Sequence, residues 1–70
     1  MTEFIKKMEN VKNNEFTVDG VKWTVANYPN NRGTSARGLW VDMTDGESIK
    51  RIYKSDVLKV NSGKAIALFN

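Results

Sequence analysis

The apolar positions of the chain follow two different periods. Phe4, Ile5, Met8 and Val11 fall at i, i+1, i+4 and i+7, one face of a helix, and predict a helix over 2–12. Thr2 is placed to cap it, Glu3 suits the positive end of its dipole, and Lys12 suits the other end. Asn13 and Asn14 read as stop residues. A helix this short is marginal alone, so its apolar stripe has to dock on something.

Beyond residue 14 the period becomes two. Asp19-Gly20 lies between Phe16-Thr17-Val18 and Val21-Lys22-Trp23, and Asp-Gly suits a two-residue type I′ turn, which needs positive φ at both central positions. That turn sets Val18 opposite Val21 and Phe16 opposite Trp23. Phe16, Val18, Val21, Trp23 and Val25 then share one face, and Trp23 reads as core. Residues 27–38 interrupt the alternation with a polar loop holding Pro29, Gly33, Gly38, Arg32 and Arg37. Tyr28, which precedes the proline, is expected to be extended.

Residues 38–43 read as a strand, with a second over 47–53. A three-residue loop of Thr44, Asp45 and Gly46 would pair Met43 with Glu47, Val41 with Ile49 and Trp40 with Lys50. Leu39, Val41, Met43 and Ile49 would face inward, and Trp40, Asp42, Ser48, Lys50 and Ile52 outward. Arg51 would fall on the inner face unless a bulge intervenes. Ser55, Asp56 and Val57 read as a short turn or a single 3-10 turn, Asn61-Ser62-Gly63-Lys64 as another turn, and Ala65–Phe69 as a last strand. The sum is one domain over 1–70, with a helix over 2–12 and a small antiparallel β-barrel of five to six strands over 15–69.

Composition narrows the chemistry. A chain of 70 residues supports one small core and buries only about 60% of its unfolded surface. There is no Cys and no His, so disulfides are impossible and neither a Ser–His–Asp nor a Cys–His arrangement can form. A structural zinc site lacks its usual ligands. Asp42, Asp45 and Glu47 cluster at one turn, but without calcium-loop spacing, and read as turn chemistry. No phosphate-cradling glycine motif is present. The expectation is a protein that is not an enzyme, with no cofactor and no metal. No apolar run reaches the roughly 18 residues of a membrane span, which predicts a soluble, cytoplasmic protein, monomeric or a small homo-oligomer.

The stretch 38–60, a strand, a tight turn and a basic strand leading into a short helical turn, is similar in rhythm to KOW and Tudor modules and to the C-terminal domain of retroviral integrases. With the hairpin before it, 16–60 resembles a small SH3-like barrel. The resemblance implies a face of aromatic and basic residues that binds nucleic acid or peptides. The N-terminal helix and the Ala65–Phe69 strand depart from that pattern, and no Tudor-type aromatic cage is visible.

Charge supplies the candidate site. The net charge is +3, and it lies outside the first 15 residues, where three lysines balance three glutamates. Lys50, Arg51 and Lys54 interleave with Ile52 and Tyr53, and the expected register sets Trp40 beside Lys50. Cations next to an aromatic neutralise phosphate while the ring stacks on a base. The first functional expectation is therefore a DNA- or RNA-binding barrel. Lys50, Arg51, Lys54, Arg32 and Arg37 would hold phosphates, with Trp40 and Tyr28 stacking on bases. The alternative is a protein-interaction module or inhibitor that binds a larger cellular protein through a strand edge or the Trp40 face.

Overall fold

The computed structural model describes residues 2–60, 63 and 65–69. In chain order the elements are α1 (Thr2–Lys6), β1 (Glu9–Lys12), β2 (Glu15–Val18), β3 (Val21–Val25), β4 (Asn27–Tyr28), β5 (Asn31–Arg32), β6 (Trp40–Thr44), β7 (Ile49–Tyr53), α2 (Lys54–Lys59) and a closing 3-10 helix (Ala65–Phe69). The fold is mostly β: a five-stranded antiparallel sheet in the order β1-β2-β3-β6-β7, and a two-stranded β4-β5 ribbon. β1 and β7 are the two edges, and among the described residues no ladder joins them.

The central hairpin forms as its sequence dictates. Phe16 pairs with Trp23 and Val18 with Val21, around Asp19 and Gly20 at φ 52° and 80°. Phe16 and Trp23 are buried, and both rings meet Phe4 of α1 edge-on, at centroid distances of 5.9 and 5.1 Å. Ile5, Met8, Val18, Val41, Met43, Ile52, Val57, Ala65 and Leu68 are buried in the same cluster.

The predicted helix over 2–12 is corrected: α1 ends at Lys6, and Glu9–Lys12 is an edge strand. Asn13 and Asn14 do not stop a helix. They form the two-residue turn between Lys12 and Glu15, both at positive φ (51° and 64°), a conformation asparagine tolerates better than most residues. Asn10, at φ 54°, supplies the extra residue of a bulge that shifts the β1–β2 register between Glu9 and Lys12. Ile5 and Met8 still bury at a helical interval, so the apolar spacing holds for one turn. The open edge of β2 then offers the backbone bonds that a short helix cannot supply.

Two further elements differ from the sequence reading. Ala65–Phe69 is a 3-10 helix, not a strand, with Ala65 and Leu68 buried three positions apart. A short apolar run does not distinguish the two by composition. Lys54–Lys59 is a full α-helical turn and a half, longer than the single turn expected at Ser55, Asp56 and Val57. Of the turn expected at 61–64, Asn61, Ser62 and Lys64 lie outside the described residues.

Candidate interaction face

The site is set by the register of β6 and β7. Val41 pairs with Ile52, Asp42 with Arg51, Met43 with Lys50, and Trp40 with Tyr53. The expected pairs Val41–Ile49, Trp40–Lys50 and Met43–Glu47 are thus displaced by three residues. The cause is local. Asp45 Oδ1 accepts the backbone N–H groups of Glu47 (2.9 Å) and Ser48 (2.8 Å), and Thr44 Oγ1 accepts that of Gly46 (3.0 Å). These bonds hold the Asp45 carboxyl below its ordinary range and close a four-residue loop, not a three-residue one. An odd shift turns every β7 side chain over. Ile52 therefore enters the core, fully buried, while Ile49 is exposed and Arg51 joins the outer face with Trp40 and Asp42.

On that outer face Asp42 is only 2% exposed. Its Oδ1 accepts Arg51 Nε–H at 2.8 Å, and its Oδ2 accepts Arg51 Nη2 at 3.2 Å and the Tyr28 hydroxyl at 2.7 Å. The guanidinium fork, followed by the tyrosine hydroxyl, keeps the carboxyl ionised and its pKa below the usual range, against the opposing effect of burial. Reciprocally, donation to the carboxylate pushes the Tyr28 hydroxyl up, and the same carboxylate raises Arg51. Arg51 also lies flat on Trp40, its Cζ 3.6 Å from the ring centroid. With each acceptor oxygen occupied, Asp42 ties the 27–38 loop to the sheet and offers no free base.

The loop is ordered by more than that anchor. Asp42 N–H donates to Gly33 C=O (2.6 Å), Ala26 N–H to Asp42 C=O (2.9 Å), and Gly33 N–H to Ala26 C=O (2.8 Å). A Cβ at Gly33 would sit 2.9 Å from the Ala26 carbonyl oxygen, so only glycine fits this approach without a shift.

The residues expected to bind nucleic acid gather only in part: Trp40, Arg51 and Tyr28 meet around Asp42, and the rest do not join them on one face. Arg51 is committed to Asp42, and Tyr28 is tied to the same carboxylate. Lys50 lies on the opposite side of the sheet from Trp40, with its Nζ 5.3 Å from the Phe4 ring, which corrects the expected Trp40–Lys50 neighbourhood. Arg32 is exposed on β5 opposite Asn27, and Arg37 is exposed in the loop after it. Trp40 and Lys54 do come together, in an apolar groove of about 420 Å³ lined by Leu39, Trp40, Tyr53, Lys54, Ser55 and Leu58.

That groove is what the sequence reading missed. Leu39 is 54% exposed, Tyr53 43% and Leu58 61%, so three large side chains stand open around the half-buried Trp40. Leu39 was expected inside, and Leu58 carried no expectation beyond being apolar. The available signal was the step Val57-Leu58: one turn of helix buries the first and turns the second outward. A second depression of about 320 Å³ lies beside Phe4, Val18, Val21 and Trp23, and its rim carries the Lys7–Asp19 ion pair at 3.7 Å.

Among the described residues no group of His, Cys, Asp and Glu is arranged to hold a metal ion, and no helix is long and apolar enough to cross a membrane. No protein-family model matches the chain, and no curated protein or solved structure matches it at a significant level.

Proposed function

We propose that this protein is a non-enzymatic interaction module whose target is another protein, seated in the groove of Leu39, Trp40, Tyr53 and Leu58. The observation that carries the reading is the open apolar surface itself. A small domain exposing three large apolar side chains around a tryptophan leaves unburied area that a partner can cover. Aliphatic Leu39 and Leu58 give a base nothing to stack on, whereas they suit apolar side chains of a partner. The only charge among the lining residues is Lys54, so the partner segment is apolar with acidic neighbours. We further read the frame as SH3-like: a hairpin, a long loop and a second hairpin leading into a helical turn support that reading, in which the groove lies at the start of β6 and the end of β7.

Nucleic acid is the second reading. Arg32, Arg37 and Lys54 make no ion pair among the described residues, and the chain carries a net charge of +3. One pair of experiments separates the two. The protein is titrated with single-stranded and duplex DNA and RNA at two salt concentrations, and a nuclease-treated pull-down compares the parent with Leu58→Glu. A stoichiometric protein partner that survives nuclease and is lost in Leu58→Glu supports the protein reading. Tight, steeply salt-dependent polynucleotide binding that Leu58→Glu leaves intact replaces it with the second.

A further inference from the structure

The free edge of β7 carries an unused row of backbone donors beside the groove. In an antiparallel ladder, residues alternate between bonding their direct partner and turning away from it. Lys54 N–H donates to Leu39 C=O at 2.9 Å, which fixes the phase: Leu39/Lys54, Val41/Ile52 and Met43/Lys50 are the bonded pairs. Three bonds confirm it from the other side. Asp42 N–H reaches Gly33, Asp42 C=O accepts from Ala26, and Trp40 C=O accepts from Ser35 N–H at 3.0 Å, all pointing away from β7. Ile49, Arg51 and Tyr53 therefore turn their N–H groups away from β6. Among the described residues no backbone hydrogen bond meets them there.

The edge is selective by charge. Residues 49–54 carry Lys50, Arg51 and Lys54 and no anion. A second copy pairing β7 against β7 would bring like charges together, which disfavours self-addition. An acidic strand meets the opposite situation. Arg51, though bonded to Asp42, keeps a side chain 45% exposed on the outer face. The other edge, β1, is broken by the bulge at Asn10 and its Glu9 and Lys12 cancel, so it lacks both the regular ladder and the net positive charge. β7 runs directly into the groove, since Tyr53, its last residue, is one of the groove's walls.

We propose that the protein partner binds as an added strand on the free edge of β7: an extended acidic segment whose terminal apolar side chain enters the groove between Leu39 and Leu58. The inference rests on the protein-interaction reading and specifies its binding mode.

The test uses the labelled full chain and a short synthetic peptide that alternates glutamate with valine and ends in leucine. Affinity is read by fluorescence anisotropy, and hydrogen exchange is followed by NMR at the Ile49 and Arg51 amides. Strand addition slows exchange at both amides by about tenfold or more at saturation, and N-methylating alternate peptide nitrogens weakens binding by about tenfold. If the peptide binds and Leu58→Glu abolishes binding, but neither amide is protected and N-methylation has no effect, strand addition is overturned and the groove reading stands. If binding survives Leu58→Glu as well, both fall. If the peptide does not bind, strand addition by an acidic segment is overturned, and the groove reading is decided by the pull-down.

Discussion

Replacing Asp42 with asparagine removes one charge from the most enclosed polar site among the described residues. Asp42 is 2% exposed, so water does not take the place of lost partners. Whichever way it is turned, the asparagine amide sets its NH2 against an Arg51 donor, Nε at the Oδ1 position or Nη2 at the Oδ2 position. Hydrogen bonds to charged groups contribute about 1.5–3 kcal/mol net each. Arg51 is half exposed and recovers hydration once released, which offsets part of the loss. The expected cost for Asp42→Asn is about 2 kcal/mol. That is a large share of the roughly 4–10 kcal/mol available to a 70-residue domain. It corresponds to a fall in Tm of about 8–16 °C.

The pH dependence gives the sharper check. The native Asp42 carboxyl titrates below its unfolded value, so its stabilisation is complete above the unfolded pKa and disappears as pH falls through the native one. Asparagine has no such loss. The gap between parent and variant therefore narrows as pH drops below about 4. Urea titrations followed by tryptophan fluorescence, near neutral pH and in acid, measure both quantities. An Arg51→Lys variant, which keeps the charge and loses the fork, falls between parent and Asp42→Asn at neutral pH. A neutral-pH penalty under about 0.5 kcal/mol, or a penalty unchanged in acid, would refute the assignment of this network as an anchor.

Other substitutions check other parts of the account. Gly33→Ala pushes a methyl to 2.9 Å from the Ala26 carbonyl oxygen and lowers the unfolding free energy from urea titration by about 1–3 kcal/mol, with the loss centred on the 27–38 loop in hydrogen exchange. Asn14→Ala costs about 1–2 kcal/mol because Asn14 sits at φ 64°, whereas Asn14→Gly leaves the midpoint unchanged or raised. The Tyr28 hydroxyl is pushed up by Asp42, so its contribution is whole below the unfolded tyrosine pKa and lost as pH rises through the native one; Tyr28→Phe removes that alkaline loss in a thermal melt series. Leu58→Glu, at a position 61% exposed, changes stability by no more than about 0.5 kcal/mol while abolishing partner capture.

The parts of the fold legible in the sequence are those where turn chemistry and apolar period agree. Asp19-Gly20 and the alternation around Phe16 and Trp23 fix the central hairpin to the residue. The β6–β7 register was hidden because loop length depends on whether Asp45 bonds its own backbone, a side-chain event that composition does not announce. That single loop decides whether Arg51 reaches Asp42, so the misplaced register also misplaced the basic residues of the expected binding face. The end of α1 was hidden for a related reason. Asn13 and Asn14 look like helix stops and Asn10 falls inside the expected helix, but their tolerance of positive φ serves a tight turn and a bulge. Leu39 keeps the period-two alternation with Val41 and Met43 and so reads as core although it is exposed, whereas Leu58 carries no periodic signal and looks like core beside buried Val57 until the backbone is in place.

The most direct test is a photo-crosslinking amino acid placed at Leu58, with Lys12 on the β1 edge as control, irradiated in nuclease-treated extract. The account predicts one protein adduct of defined mass from position 58, none from position 12, and loss of the adduct when Leu39→Glu is added. Adducts to nucleic acid when nuclease is omitted and none to protein, or equal labelling from both positions, would contradict it.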